Sequence, residues 1–247
     1  MQTILNEIVE YKIKELKQIK NTLTSQNRFR KTINKQDVAL IGEIKLKSPS
    51  AGILGKAQNI VKRARSYEKA GVDVISVITN KNFFNGDIKL LKKVKKNTKL
   101  PILQKDFIID PYQIYESKVN GADTILLIAR IVTKQKLIFF VELAQSIGLE
   151  PIVEIYDKDD LEKAIMSTTS FIAVNARNLQ TFSIDIDKAC ALIKKIPDKY
   201  IKLGFSGINT TSDVKKYIQA GAKAVLVGTG LMKTNNIKSY ISSLKNV

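Results

Sequence analysis

The chain contains no histidine and a single cysteine, Cys190. Without histidine, the usual acid–base side chain near neutral pH and the commonest metal ligand are both missing. Proton transfer must then fall to lysine, glutamate or aspartate, and no metal or cofactor is expected. One cysteine cannot close an internal disulfide, so no redox framework holds the fold. No apolar run approaches the ~18 residues that span a bilayer, so no membrane partner is expected. The first twenty residues alternate charged and apolar side chains. They lack the apolar core of a signal peptide, which makes the cytoplasm the expected location.

Acidic residues are scarce too, 23 against 41 lysines and arginines, for a formal charge of +18. Such a balance raises the question of nucleic acid. The charge is spread along helical surface patterns such as 89–99 and 11–20. That is a solvated lysine-rich surface, not a stripe that tracks a groove, and no nucleic-acid partner is expected. The same field draws in small anions, at a rate that falls with salt.

What is present is a repeating unit. The 247 residues, 44% hydrophobic and 26% charged, match a soluble globular chain of single-barrel size. From Val38 onward, apolar strands alternate with amphipathic helices. Strands are expected at 38–45, 74–78, 102–105, 124–128, 152–155, 172–175, 201–204 and 224–227. Helices are expected at 59–70, 88–96, 112–120, 134–147, 158–166, 185–195, 211–220 and 237–244. Three helices close on an echo, Ala70-Gly71-Val72-Asp73, Asn120-Gly121-Ala122-Asp123 and Ala220-Gly221-Ala222-Lys223, with glycine where a helix C-terminus turns left-handed. Strands apolar on both faces indicate a parallel sheet covered by helices. Eight units in this length favour a closed (β/α)8 TIM barrel over an open doubly wound sheet. No Gly-x-Gly-x-x-Gly follows the first strand, which argues against a dinucleotide. The expected organisation is one domain over 1–247, a helical extension at 1–36 and the barrel at 37–247. The extension carries a partial apolar face (Ile4, Ile8, Val9, Tyr11, Ile13, Leu16) and would cap the bottom or cover the top of the barrel.

The stretch 41–52, I-G-E-I-K-L-K-S-P-S-A-G, has Ile41, Glu43, Lys45 and Lys47 in one parity. In a strand these side chains share a face. Either the strand is an edge with a solvated charged face, or its end delivers Glu43 and Lys45 into a pocket. The other strands favour the pocket, because barrel sites lie at the C-terminal strand ends. Polar residues recur there: Ser48, Lys105-Asp106-Phe107, Glu154, Asn175-Ala176-Arg177, Ser206-Gly207 and Gly228-Thr229-Gly230. Lys45 and Lys105 are candidates for general acid, carbonyl polariser or Schiff-base nucleophile, and Glu154 for base. The glycine-bearing turns after strands seven and eight sit where barrels hold phosphate on backbone N–H groups. Simple turn chemistry is their other explanation. Arg177 adds a charge-assisted contact for an acidic group.

These residues fall into ordered motifs: Glu43-Ile44-Lys45 with Ser48-Pro49-Ser50, then Ser76-Val77-Ile78-Thr79 with Phe83-Phe84-Asn85-Gly86, then Pro101-Ile102-Leu103-Gln104-Lys105-Asp106-Phe107. Gly121-Ala122-Asp123 with Leu126-Leu127-Ile128, Val153-Glu154, Asn175-Ala176-Arg177-Asn178-Leu179 and Leu226-Val227-Gly228 follow. From about Leu5 onward the chain resembles the indole-3-glycerol phosphate synthases of tryptophan biosynthesis. The resemblance implies ring closure of 1-(2-carboxyphenylamino)-1-deoxyribulose 5-phosphate with loss of carbon dioxide and water, and no cofactor. It makes Lys105 the general acid, Glu154 the carboxylate that assists proton removal and dehydration, and Lys45 the ligand of the substrate carboxylate, with Glu43 beside it. Asn175 would hydrogen-bond the reacting centre. Ser48, Arg177, Ser206, Gly207, Gly228 and Thr229 would grip phosphate or shape that end, and Phe83 and Phe107 would pack on the anthranilate ring. The extension resembles the family's extra helices, which fold over the substrate. The partner implied is a small anionic phosphorylated substrate, acted on by a monomer, with a dimer as the alternative. One position departs. The family's Glu-Ser-Gly-Ile after strand seven is here Phe205-Ser206-Gly207-Ile208, which puts full activity in doubt and leaves a weakly active or non-catalytic ligand-binding barrel as the alternative.

Overall fold

The computed structural model describes residues 27–49 and 51–246. Eight parallel strands close into a barrel. They are β1 (Ala39–Ile44), β2 (Val74–Ile78), β3 (Ile102–Lys105), β4 (Thr124–Ile128), β5 (Glu150–Ile155), β6 (Phe171–Asn175), β7 (Ile201–Phe205) and β8 (Ala224–Val227). Each pairs with its neighbours in sequence, and β1 closes the ring by pairing with β8 at Gly42↔Val227 and with β2 at Glu43↔Ser76. The α-helices of the described residues are α1 (Arg28–Lys35), α2 (Ile60–Lys69), α3 (Lys81–Phe84), α4 (Ile88–Lys95), α5 (Pro111–Val119), α6 (Lys134–Ser146), α7 (Lys158–Met166), α8 (Ile186–Ile193), α9 (Thr211–Gln219), α10 (Thr229–Lys233) and α11 (Ile237–Lys245). The anticipated strands and longer helices form within two residues of their expected ends. Helices α3 and α10 and a short hairpin, Lys47–Ser48 with Gly52–Ile53, were not anticipated, since four or five residues carry no periodicity to read.

The alternation of each strand sorts its side chains into two cores. Leu40 and Ile44 face outward and join the layer between strands and helices. Ala39 and Ile41 face inward with Leu103, Leu126, Ile152, Ala173 and Leu203, and these side chains fill the barrel. Glu43 continues the inward parity at the top of β1. Lys47 does not, because the chain leaves the barrel after Ile44 and Lys47 pairs with Ile53 in the hairpin.

The described part of the N-terminal extension caps the bottom. Asn27 caps α1 by accepting from the Phe29 and Arg30 amides and donates to Asp123 O at 2.8 Å. Phe29 and Ile33 are fully buried in the interior core, each stabilising by roughly 1.5–3 kcal/mol. The Phe29 ring lies 5.0 Å from that of Phe171. Arg30 places its guanidinium over the Phe171 ring and grips the fully buried Glu150 with a two-pronged pair, 2.7 and 2.9 Å. Burial pushes the Glu150 carboxyl up, and the Arg30 contacts pull it part of the way back. The expected helix over residues 1–26 lies outside the described residues.

Arg30→Ala strands a buried carboxylate. It should lower unfolding stability by about 3–5 kcal/mol, read from the urea midpoint. A loss near that of an exposed arginine would contradict the plug.

Candidate active site

The uppermost inward residue of each strand forms the floor of a cavity of about 370 Å³ at the C-terminal barrel face. Glu43, Lys105, Glu154 and Asn175 make the floor polar on β1, β3, β5 and β6. Ile78, Ile128, Phe205 and Leu226 make it apolar on the other four. Sequence reasoning found the polar half because charge is conspicuous in an apolar strand. It missed Ile78, Ile128 and Leu226, which read as ordinary core.

Two ion pairs stand on this floor. Lys45 Nζ lies 2.8 Å from Glu43 Oε1, with both side chains largely shielded. Burial pushes the Glu43 carboxyl up, but Lys45, Lys105 and Arg177 together outweigh it and hold the group below its ordinary value. Gly228 makes room for this pair. A Cβ there would overlap the Glu43 carboxylate and come within 3.0 Å of Lys45 Nζ. The second pair is looser, with Lys105 Nζ 3.9 Å from Glu154 Oε2. Glu154 is 3% exposed, and its Oε1 accepts from Asn175 Nδ2 at 3.1 Å. Its Oε2 has no hydrogen-bond partner among the described residues. A buried carboxylate oxygen without a donor, facing an ammonium beyond hydrogen-bonding range, presents both groups to a third molecule.

The walls carry the remaining candidates. Arg177 donates from its backbone amide to Asn175 Oδ1 at 3.0 Å and from its guanidinium to Phe182 O at 3.0 Å, which ties it into the loop after β6. Ser48 Oγ accepts from Ala51 N at 3.0 Å in the hairpin turn. Ser206 and Gly207 follow β7 with φ of 72° and 81°. The amides of Gly207 and Ile208 have no protein acceptor among the described residues. Gly228 precedes α10, whose first residue is Thr229, and all of these line the cavity.

Phe107 lines the rim, but Phe83 does not. It is 62% exposed on α3, and its neighbour Phe84 takes the wall position. One residue rotates a helical side chain by about 100°, and nothing in the Phe-Phe pair says which ring turns inward.

A family model described as indole-3-glycerol phosphate synthase matches residues 2–244. The chain belongs to the indole-3-glycerol phosphate synthase family. The indole-3-glycerol phosphate synthase of Caldanaerobacter subterraneus subsp. tengcongensis is 43% identical over 254 residues, covering 98% of this chain and 99% of its own. That of Alkaliphilus metalliredigens is 39% identical over 256 residues, covering 98% of each. Among solved structures, 3-hexulose-6-phosphate synthase superposes with a TM-score of 0.67 at 14% identity, over 83% of this chain and 97% of that one. A chain of the tryptophan synthase α2β2 complex of Pyrococcus furiosus gives 0.64 at 16%, over 85% and 98%. Identities this low show the barrel fold alone.

Thr79 and Lys233 also bear on this synthase-family site and were not singled out from the sequence, whereas Asp106 was. Thr79 donates to Asp106 at 2.5 Å, and Asp106 accepts from the Phe107 amide at 2.8 Å. Together they fix the turn that follows Lys105. Lys233, one turn along α10 from Thr229, adds a cation to the wall. Its only sequence signal was its distance from Gly228.

Glu43, held below its ordinary value, contributes stability that is complete above the usual carboxylate range. That contribution is lost as pH falls through the lowered folded value. The stability gap between wild type and Glu43→Gln should therefore narrow on acidification, followed by chemical denaturation from neutral into acid pH. A gap independent of pH would contradict this electrostatic account.

Proposed function

We propose that the protein converts 1-(2-carboxyphenylamino)-1-deoxyribulose 5-phosphate to indole-3-glycerol phosphate, the carboxy-lyase reaction of its family, as a cytoplasmic enzyme that works as a monomer. The observation that carries this reading is the convergence of Lys105 and Glu154, whose Oε2 has no hydrogen-bond partner among the described residues, in a cavity also lined by the glycine-bearing turns after β7 and β8.

The substrate brings a carboxylate and a phosphate, and the cavity offers Lys45, Lys105, Arg177 and Lys233 with those amides. The phosphate goes to the turns at Ser206-Gly207 and Gly228-Thr229, with Ser48 and Arg177 shaping that end. Lys45 keeps two N–H donors beyond its Glu43 contact and holds the substrate carboxylate. The aromatic ring carbon attacks the ketone carbon while Lys105 protonates the oxygen, so no alkoxide develops unscreened. Carbon dioxide leaves as its bonding pair restores the aromatic ring. Glu154, oriented by Asn175, then assists proton removal as the hydroxyl departs as water. Phe107, Phe84 and Phe205 supply apolar surface for the aryl ring.

Phe205 settles in a telling place. It is 1% exposed, packs with Leu203, Ala173 and Leu226, and faces the cavity. The departure from the family's Glu-Ser-Gly-Ile is therefore a change of the floor. It removes a carboxylate from a site with more cations than anions.

Purified protein with substrate should produce indole fluorescence, and no product above background would refute the proposal. Lys105→Ala should lower kcat by ~10²-fold or more, the scale of general acid catalysis. An unchanged kcat would remove Lys105 from that role. Phe205→Glu should raise kcat by returning the counter-charge. An equal or lower rate in a folded variant would show that this floor works with its aromatic ring.

A further inference from the structure

Ser206 carries a Cβ yet sits at φ 72°, and Gly207 follows at 81°. A non-glycine residue adopts the left-handed region only where its surroundings hold it there. What holds it comes from behind the strand. Tyr217 on α9 is fully buried. Its ring lies against the bare Cα of Gly204, where a Cβ would overlap it. Its hydroxyl reaches Ser206 O at 3.0 Å and Phe205 O at 3.2 Å. Phe205 O also accepts from Ala176 N at 2.8 Å, so the Tyr217 hydroxyl is the partner of Ser206 O among the described residues. Burial raises the phenol well above its ordinary value, so it stays a donor.

The Ser206–Gly207 peptide is trans. In a planar trans peptide the C=O and the next N–H point in opposite directions. With Ser206 O turned back to α9, the Gly207 N–H is turned away from it, toward the cavity that Gly207 lines. The fold contains the same device once more without the strain. Tyr67 on α2 lies over Gly42, where a Cβ would come 2.9 Å from its ring, and its hydroxyl reaches Glu43 O at 3.3 Å. Both tyrosines begin a run of the pattern Tyr-x-x-Ala-Gly, Tyr67-Glu68-Lys69-Ala70-Gly71 and Tyr217-Ile218-Gln219-Ala220-Gly221. On β1 the strand continues regularly. On β7 the clamp is used to bend the chain.

We propose that Tyr217 is a positioning residue: through the gap left by Gly204, its hydroxyl fixes the Ser206–Gly207 peptide with the Gly207 N–H aimed at the bound phosphoryl group. This rests on the phosphate assignment made under Proposed function.

Calorimetric titration with inorganic phosphate, on the full-length chain, compares wild type, Tyr217→Phe and Tyr67→Phe. Each variant removes one buried hydroxyl behind a strand end, so a merely structural loss affects both alike. Tyr217→Phe should bind phosphate about ten-fold more weakly, the scale of one hydrogen bond to a charged group, and Tyr67→Phe should match wild type. In turnover, Tyr217→Phe should raise KM with kcat held. Unaltered phosphate affinity in Tyr217→Phe, or an equal loss in both variants, overturns the positioning role while the proposed reaction stands. A wild-type chain that binds no phosphate overturns the phosphate assignment and the positioning role together. Should Tyr217→Phe not fold, amide resonances of the wild type decide: phosphate must shift the Gly207 N–H, and an unmoved signal overturns the proposal.

Discussion

A carboxylate inside a barrel has to be given a cation, because its charged form is costly in a dry interior. This chain meets that constraint three times. At the bottom, Glu150 receives the planar fork of Arg30, which satisfies both oxygens and closes the mouth with α1. At the top, Glu43 and Glu154 receive lysines. An ammonium is a point charge with three donors and cannot satisfy a carboxylate in the way a guanidinium does. The difference divides the barrel into a sealed end that stabilises and an open end whose groups still have bonds to make. Glu154 shows it most plainly, with one oxygen held by Asn175 and the other without a hydrogen-bond partner among the described residues.

Much of this was legible in the sequence, for a physical reason. Strands β2, β4 and β8 form where four or five mostly apolar residues were flanked by turn signals. Polar residues at their ends stood out because the strands are otherwise apolar on both faces. The parity of Ile41, Glu43 and Lys45 gave their common direction, and it failed at Lys47 only because the chain had left the sheet. The rest needed three dimensions. Arg30 and Glu150 are 120 positions apart. Tyr217 reads as a core aromatic until its hydroxyl is seen on Ser206 O. Phe83 and Phe84 exchange places on a helix too short to show a period.

The floor also gives composition a meaning. Four of its eight positions are apolar, which keeps water low and strengthens each remaining charge interaction. Phe205 belongs to that apolar half. Glu43 answers to Lys45, Lys105 and Arg177 together.

For the proposed reaction, one molecule must span the lysine–glutamate floor and the turns after β7 and β8 at once. A crystal structure with indole-3-glycerol phosphate bound tests this most directly. The account predicts the phosphate on the loops at Ser206-Gly207 and Gly228-Thr229, with the indole ring over the floor between Lys105 and Glu154. A phosphate seated elsewhere, or a ring held away from both side chains, would contradict it.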